Sequence, residues 1–445
     1  MKNRMSADSF FIESLGCAKN SVDSRSMAEL LIRAGYKESG SPENAGIVIV
    51  NTCGFILPAR EESLRTLRKF AVAKPAGQIL IAAGCLSEKE KHHLVDEVEG
   101  LDAAFGTRRW ADILRVVEKA RQHPASPYLH FPDTAVIEES SQKVARVSVQ
   151  GGSAYLKIAD GCDRGCAFCA IPLIKGPMVS RPVQAILDDA VLLKEMDVKE
   201  IILIAQDSTA YGRDLGMRDG LPLLLKELTA AVPKVPWLRV MYTFPGAVSD
   251  DLINVMAEKS QVLPYLDIPL QHAHPDVLKR MRRPADIQVV KETITKVRNS
   301  IPEVALRTTF IVGFPDETEA EFQYLLDFLV ETRFDHVGIF PYYHEEGTSA
   351  YNGKDTVTFE LKEERIQRLA AAQEQISLEI NKGFIGKTIE ILIEGNGDGI
   401  SAGRSYRDAP EIDGLAMFDE VISPGSMVKG RVTGALTHDL IAKRQ

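Results

Sequence analysis

Short apolar segments that alternate with amphipathic stretches are the feature of this chain that most limits its fold. Near the amino end the predicted strands are residues 10–12, 47–50 and 79–83. The last two are apolar throughout, as in strands that are covered on both faces. After the first strand, apolar residues recur at helical spacing and stop at a glycine: Met27, Leu30, Leu31, Ala34 and Gly35. We therefore predict a parallel-sheet βαβ domain over residues 8–123.

The same alternation continues beyond a break in the pattern. Residues 124–150 show no sustained period and are predicted to be a linker. Six further strands then alternate with helices: 155–158, 201–205, 238–242, 266–268, 307–312 and 336–340. A helix with Ile366, Leu369, Ala370 and Ile380 on one face follows them and ends at Gly383. Residues 151–380 are therefore predicted to form a partial βα barrel.

The carboxyl-terminal segment, residues 381–445, is punctuated by glycine and rich in strand-forming residues. Its clearest strand segments are 387–394 and 428–443. We predict a small β-barrel here, which makes the whole chain an α/β protein with an appended barrel.

Composition and charge limit the functional classes. The 445 residues include 53 Lys and Arg against 62 Asp and Glu, a net charge of −9. A chain-wide basic surface for nucleic acid is therefore excluded, although a local one is not. No apolar run approaches a membrane span and no signal sequence is recognised, so we expect a cytoplasmic protein without a membrane partner. Cysteines in that reducing compartment are expected to be ligands, nucleophiles or core residues rather than disulfides.

Three of the six cysteines lie on one loop, in a C-x3-C-x2-C pattern directly after the first barrel strand. They are Cys162, Cys166 and Cys169. The alternatives are a zinc site or three core cysteines, but zinc usually requires a fourth ligand nearby and no histidine follows closely. A four-iron cluster that is held by three thiolates keeps one iron open. The pattern therefore favours an iron–sulfur cluster.

The other three cysteines each follow a predicted strand of the first domain: Cys17, Cys53 and Cys85. Because the carboxyl ends of parallel strands meet at one edge of a sheet, these distant cysteines should converge. One such cysteine alone is most often a small buried hydrophobe. Three at equivalent strand ends predict a second cluster, with Gly16, Gly54 and Gly84 giving a cofactor close access to the backbone.

Other candidate residues end the barrel strands, where barrel enzymes place cofactor contacts. Gln206 with Asp207 and Gly313 are candidates for cofactor binding, and turn formation is the equal alternative. His272 and His274 flank one turn. Without a third ligand in the sequence, they are predicted to be polar rim residues.

The cysteine loop, with Phe168 before its last cysteine, resembles the radical S-adenosylmethionine (radical SAM) superfamily. The domain order is similar to that of the methylthiotransferase family, with a methylthiotransferase domain, a radical SAM domain and a TRAM domain. Four segments are similar to the branch that modifies a ribosomal-protein aspartate: Leu15-Gly-Cys-Ala-Lys-Asn20, Asn51-Thr-Cys-Gly-Phe-Ile56, Leu266-Asp-Ile-Pro-Leu-Gln-His272 and Gly403-Arg-Ser-Tyr-Arg-Asp-Ala-Pro410. Val179-Ser-Arg-Pro182 is closer to the branch that modifies a tRNA adenosine, which is therefore the alternative.

The resemblance implies two [4Fe-4S] clusters and S-adenosylmethionine as cofactors. Cys162, Cys166 and Cys169 would hold the cluster whose open iron binds S-adenosylmethionine. Cys17, Cys53 and Cys85 would hold the cluster that supplies or carries sulfur. The product would be a methylthio group on the β-carbon of an aspartate in a small-subunit ribosomal protein. A flavodoxin- or ferredoxin-like protein would supply the electrons.

The charge of the carboxyl-terminal segment bears on the choice of substrate. Residues 381–445 contain eight basic and nine acidic side chains, whereas a module that grips RNA should be plainly basic. A ribosomal-protein substrate is therefore predicted, with RNA contact left open. A non-enzymatic iron–sulfur carrier is the alternative from another class, but it would need neither six βα units nor an open iron.

Overall fold

A six-stranded sheet forms the first part of the computed structural model, which describes residues 6–123, 126–133 and 143–445. Its strands are β1 (Ser6–Ser14), β2 (Lys37–Glu38), β3 (Ala45–Thr52), β4 (Ile79–Gly84), β5 (Ala103–Phe105) and β6 (Tyr128–His130). Its helices are α1 (Ala18–Arg33), α2 (Leu57–Ala73), α3 (Cys85–Glu90), α4 (Leu94–Glu97) and α5 (Ile113–Gln122). The order is β2-β1-β3-β4-β5-β6 and every neighbouring pair is parallel, which confirms the predicted sheet.

The central strands of this sheet are covered on both faces. All residues of β3 are buried, with Ile47 and Ile49 in one apolar core and Val48 and Val50 in the other. This alternation explains why the segment is apolar throughout. Helix α1 follows β1 and begins directly after Cys17, so that Cys17 lies at the edge of the sheet.

Two strands lie in segment 124–150, which the sequence predicts to be a linker. Strand β6 extends the first sheet beside β5, and β7 (Val147–Gln150) pairs antiparallel with the first barrel strand. Their three and four residues are too few to show a period in the sequence. Residues 124–125 and 134–142 of the predicted linker lie outside the described residues.

The central part is an open βα barrel. Its further strands are β8 (Ser153–Lys157), β9 (Ala159–Asp160), β10 (Val179–Ser180), β11 (Glu200–Ile204), β12 (Trp237–Val240), β13 (Tyr265–Asp267), β14 (Ala305–Val312) and β15 (His336–Pro341). Its helices are α6 (Ile171–Lys175), α7 (Val183–Glu195), α8 (Gly220–Ala231), α9 (Asp250–Glu258), α10 (Pro275–Arg280), α11 (Ile287–Ser300), α12 (Glu319–Thr332) and α13 (Phe359–Lys382). Parallel ladders join β8, β11 and β12, and likewise β13, β14 and β15. An isolated parallel bridge pairs Leu238 of β12 with Val262, which precedes β13, so the two groups follow each other around one open barrel and the predicted partial barrel is confirmed.

Helix α13 closes the barrel domain. Thr358 caps its first turn by accepting a hydrogen bond from the Leu361 amide, and Gly383 ends it as predicted. Leu369 and Ile376 are buried in the barrel core on its inner side. In the part of the chain that the structure describes, no helix is both long and apolar enough to span a membrane.

A closed five-stranded barrel forms the carboxyl-terminal part. Its strands are β16 (Thr388–Gly397), β17 (Ile400–Ser405), β18 (Ala416–Phe418), β19 (Met427–Ala435) and β20 (Leu440–Arg444). The segment predicted as strand over 428–443 is a hairpin, because β19 and β20 are antiparallel neighbours separated by four residues. The small β-barrel predicted from the sequence is confirmed.

This closed barrel docks on the amino ends of the βα-barrel strands. Arg404 forms a buried ion pair with Glu200, the first residue of β11, at 2.5 Å. Glu200 also pairs with Arg239 of β12 at 2.6 Å. The hydroxyl of Tyr265, which begins β13, donates to Asp413 at 2.6 Å. The docked segment therefore covers the end of the barrel opposite the carboxyl ends of the strands.

A buried charge cluster joins the first sheet domain to the βα barrel. Asp23 of α1 accepts hydrogen bonds from Arg146 at 2.5 Å, from Lys157, and from Lys175 at 3.1 Å. Asp160 forms ion pairs with the same three cations at 3.0 to 3.4 Å. All five side chains are at least nine-tenths buried. The cluster fixes the sheet edge against the barrel and leaves one positive charge in excess.

Candidate active site

A cavity of about 480 Å³ opens at the carboxyl ends of the βα-barrel strands. Its wall contains all six cysteines of the chain. The barrel contributes residues that follow β11, β12 and β13, among them Gln206, Asp207, Tyr242, Thr243, Pro269 and Gln271. The two cysteine sets, which belong to different domains, therefore face one shared space.

The cysteines of the first sheet meet at its carboxyl edge. Cys17 precedes α1, Cys53 follows β3, and Cys85 is the first residue of α3. Asn20 links the three positions: its backbone amide donates to the Cys17 carbonyl at 2.8 Å, its side-chain nitrogen donates to the Thr52 carbonyl at 3.0 Å, and its side-chain oxygen lies 3.7 Å from the Cys85 sulfur. The predicted convergence of these cysteines is confirmed.

The glycines beside these cysteines serve protein packing rather than the predicted approach of a cofactor. A Cβ on Gly16 would lie 2.7 Å from the Cβ of Cys53. A Cβ on Gly84, whose φ is +97°, would lie 2.4 Å from the side-chain oxygen of Asn51. The space beside Gly16 and Gly84 is thus occupied by residues at the carboxyl end of β3, and a Cβ on Gly54 would lie 2.7 Å from Leu86 of α3.

The barrel loop places its cysteines beside two arginines. The Arg164 amide lies 3.4 Å from the Cys162 sulfur, and the Arg283 guanidinium lies 3.6 Å from the Cys166 sulfur. Both guanidinium groups also cover the Phe244 ring, at 3.8 and 4.3 Å from its centroid. These cations favour negative charge on the loop sulfurs, as ligand thiolates require.

Burial acts against thiolate formation in the free protein. It raises the pKa of Cys162 to about 11, and those of Cys85 and Cys169 to about 12. The pKa of Cys53 is also raised by burial. These thiols are therefore protonated at neutral pH, and binding of a metal centre would release their protons.

The donor sets fit iron–sulfur clusters better than single metal ions. Among residues 6–123, 126–133 and 143–445, no three His, Cys, Asp or Glu side chains lie close enough to hold one ion. A polynuclear cluster is ligated by cysteine thiolates and spans a wider site than one ion. Two buried polar atoms of the cavity residues, Gln206 Oε1 and Arg164 Nη2, have no hydrogen-bond partner among the described residues. They indicate a polar ligand beside the loop.

Only one of the two candidate cofactor-binding residues lines the cavity. Gln206 lies in the cavity wall, whereas Gly313 is not among its lining residues. Gly313 has a φ of +72°, its amide donates to Glu317 at 2.8 Å, and a Cβ there would lie 2.3 Å from Lys362. These contacts match the tight turn that the sequence left as the alternative. Cofactor binding by Gln206 stays a prediction.

His272 is not the rim residue that the sequence predicts. Its side chain is fully buried, and burial lowers its pKa to about 3. Its Nδ1 accepts from the His274 amide at 2.9 Å, and the Glu317 carboxylate lies 3.8 Å from Nε2. His274 is partly exposed and caps α10 by accepting from the Asp276 amide at 3.3 Å. The neutral His272 thus belongs to the packing below the turn.

Several cavity residues were not found from the sequence. Lys19 and Arg283 lie far from the cysteine loop in the chain, and only folding brings them to it. Tyr242 and Gln271 have positive φ angles, +62° and +77°, although neither is glycine. Such backbone strain concentrates at functional sites. A sequence signal for Lys19 did exist, because it stands two residues after Cys17.

Three family models match the chain, in the same order as its structural parts. An uncharacterized protein family, UPF0004, matches residues 9–106, the radical SAM superfamily matches residues 156–329, and the TRAM domain matches residues 385–444. The open barrel, the C-x3-C-x2-C loop at its strand ends and these matches define a radical SAM enzyme.

Full-length relatives identify the family. The ribosomal protein uS12 methylthiotransferase RimO of Roseiflexus sp. (strain RS-1) is 44% identical, over 97% of this chain and 96% of that protein. The protein of the same name from Chloroflexus aurantiacus is 44% identical, over 97% of this chain and 98% of that protein. The chain belongs to the RimO family of radical SAM methylthiotransferases, which confirms the predicted branch. The family implies S-adenosylmethionine and [4Fe-4S] clusters as cofactors.

A solved structure shares the fold at low sequence identity. The radical S-adenosylmethionine methyltransferase TsrM from Kitasatospora setae superposes with a TM-score of 0.55 at 11% identity, over 88% of this chain and 80% of that one. Its agreement with the present structure concerns the fold alone.

Metal analysis should detect two clusters. Because each cysteine set comes from its own domain, we expect about eight iron and eight sulfide per chain after anaerobic reconstitution, and about half after replacing either set by alanine. Chemical iron and sulfide determination measures both. Loss of all iron on removal of one set would mean that the sets share a single centre in the cavity.

Proposed function

We propose that this protein adds a methylthio group to the β-carbon of an aspartate in ribosomal protein uS12. The observation that carries the proposal is the shared cavity, which presents both cysteine sets to one space. A reaction that both activates a carbon and supplies sulfur to it needs two centres within reach of one substrate. The names of the full-length relatives supply the substrate.

Each cysteine set is assigned one centre. Cys162, Cys166 and Cys169 would hold the [4Fe-4S] cluster that binds S-adenosylmethionine, and Cys17, Cys53 and Cys85 would hold the second. When bound, these groups supply a hydrogen-abstracting radical and a sulfur atom. A radical is needed because an aliphatic C–H bond is far too weak an acid for a side-chain base.

The protein's own side chains shape the space around that chemistry. Arg164 is fixed by an ion pair with Asp207 at 2.7 Å, so its stacked position over Phe244 is held. Phe168 and Ile171 make the wall beside the cysteine loop apolar. An apolar wall excludes water, which protects a reactive intermediate from side reactions.

The opening of the cavity carries exposed aromatic rings. Phe55 and Phe340 line the cavity and are 36% and 47% exposed. Exposed aromatic side chains at the mouth of a site favour contact with a polypeptide segment. A loop of a folded protein substrate could place one side chain inside while its backbone stays at this opening.

The carboxyl-terminal barrel gives little support to tRNA as substrate. Two of its eight basic side chains, Arg404 and Arg407, are buried in ion pairs with Glu200 and Asp335. Arg181, in the segment that is closer to the tRNA-modifying branch, is likewise buried and pairs with Asp189 at 2.8 Å. Arg404, Arg407 and Arg181 are therefore not available to bind a phosphate backbone.

Mass spectrometry of both candidate substrates tests the proposal. The enzyme is reconstituted anaerobically with iron and sulfide, reduced, and incubated with S-adenosylmethionine and either purified uS12 or unmodified tRNA. We expect methylthio addition on a uS12 aspartate and none on tRNA. Modification of tRNA adenosine with uS12 unchanged would contradict the proposal and support the tRNA-modifying alternative.

A further inference from the structure

We propose that Lys19 binds the side-chain carboxylate of the substrate residue and thereby makes the enzyme specific for aspartate. The inference rests on the proposed function, since it concerns the acceptor of that same cavity. It follows from the partners of the positively charged side chains that line the cavity.

Four cationic side chains line the cavity: Lys19, Arg164, Lys175 and Arg283. Arg164 is paired with Asp207 at 2.7 Å, and Lys175 with Asp23 at 3.1 Å. Arg283 donates to a backbone carbonyl and lies 3.6 Å from a sulfur of the cysteine loop. Each of these three cations therefore has a protein partner, although Arg164 Nη2 and Arg283 Nε have no hydrogen-bond partner among the described residues.

Lys19 differs from the other three. Its side chain is 8% exposed, yet among the described residues no hydrogen bond or ion pair is made by its Nζ. Its ammonium group lies over the Tyr242 ring, 3.0 Å from the centroid. Cys17 and Asp267 act on Lys19 only through space, and the Asp267 carboxylate is paired with Arg307 at 3.1 Å.

A lysine side chain carries three N–H donors at its Nζ, and none of those of Lys19 has an acceptor among the described residues. The ring face attracts the cation but carries no net charge to neutralise it. The cavity wall thus contains a buried cationic donor, Lys19, whose N–H groups are not taken by an acceptor among the described residues.

The position of Lys19 favours the substrate as the source of the anion. It lies two residues from Cys17, on the sheet side of the cavity. The proposed reaction replaces a hydrogen on the carbon adjacent to the aspartate carboxylate. A carboxylate held by Lys19 therefore brings that carbon next to the cysteine set proposed to deliver sulfur.

S-adenosylmethionine also carries a carboxylate and is the competing source. The resemblance assigns S-adenosylmethionine to the open iron at the barrel loop, which lies in the other domain. The two sources are distinguished by replacing the acceptor aspartate of uS12 with asparagine, because this removes the substrate charge and leaves the cofactor unchanged.

The test measures binding rather than turnover. The reconstituted protein is titrated anaerobically with uS12 and with its acceptor Asp→Asn variant, and separately with S-adenosylmethionine. We expect the wild-type protein to bind the aspartate form about tenfold more tightly, as a charge-assisted hydrogen bond predicts. K19M should abolish this preference, K19R should retain most of it, and both should bind S-adenosylmethionine as the wild type does.

Control variants keep the result interpretable. K226M removes an exposed lysine of α8 that is not among the cavity-lining residues, and it should keep the full preference. Iron content of each variant reports whether the clusters are intact. If K19M keeps the preference, weakens both uS12 forms equally, or weakens only cofactor binding, Lys19 does not recognise the substrate carboxylate. If wild-type enzyme modifies no uS12 at all, the proposed function fails instead.

Discussion

Replacing Cys162 by alanine should abolish reductive cleavage of S-adenosylmethionine, whereas replacing Cys53 should spare cleavage and abolish methylthio transfer. The physical reason is that the two cysteine sets in the cavity wall belong to different domains, so that each substitution removes ligands from only one set. Cys162 belongs to the barrel loop that the resemblance assigns to the open-iron cluster, and Cys53 follows β3 of the first sheet. Deoxyadenosine release, measured by chromatography under anaerobic reduction, reports cleavage independently of the substrate.

Iron content and product formation, measured together on each variant, distinguish the loss of one cysteine set's function from general damage to the protein. Each should retain about half of the wild-type iron if only its own cluster is lost. The C53A variant should still release deoxyadenosine at a rate comparable to wild type, while uS12 stays unmodified by mass spectrometry. Normal deoxyadenosine release by C162A would show that the assignment of the two cysteine sets is wrong.

The fold was predictable where apolar periodicity is long. The six barrel strands that the sequence predicts and β3 each appear where the sequence places them, and β3 and β11 are buried along their whole length. In the first two domains the short strands β2, β5, β6, β7, β9 and β10 were missed, because two to four residues show no period. The hairpin of β19 and β20 was read as one strand because four residues separate its arms.

The candidate site was predictable only in part, because its residues are joined by tertiary structure. Cysteine spacing identified both sets, and strand topology predicted that Cys17, Cys53 and Cys85 converge. Nothing in the spacing shows that the two sets share a cavity, since this depends on how the domains dock. His272 was misplaced for the same reason, because its burial arises from packing against elements that are distant in sequence.

That docking depends on the buried charge cluster around Asp23, so Asp23→Asn should destabilise the folded protein strongly. Removing one partner of a buried ion pair leaves uncompensated charge and typically costs about 3–5 kcal/mol. Here Arg146, Lys157 and Lys175 would share the single carboxylate of Asp160. We expect a clear fall in the midpoint of thermal unfolding at pH 7, measured by circular dichroism.

The pH dependence of this effect has a defined sign. Burial opposes ionisation of Asp23, but the charges of Lys157, Lys175 and Arg146 outweigh it and lower its pKa. The stabilisation from the carboxylate is therefore fully present above the unfolded pKa of about 3.9 and is lost as pH falls through the folded pKa. Wild type and D23N should differ most at neutral pH and converge only in strong acid.

A matched substitution on the surface provides the control. Asp188 lies exposed on α7 and accepts a hydrogen bond only from the exposed Gln184 among the described residues, at 2.8 Å. D188N should change the free energy of unfolding by no more than about 0.5 kcal/mol, as surface substitutions usually do. If D23N unfolds at the same temperature as D188N, the charge cluster does not hold the sheet domain against the barrel. Because the cluster joins the two domains whose cysteines line one cavity, an unfolding midpoint lowered in D23N alone would show that these buried ion pairs stabilise the docked domains.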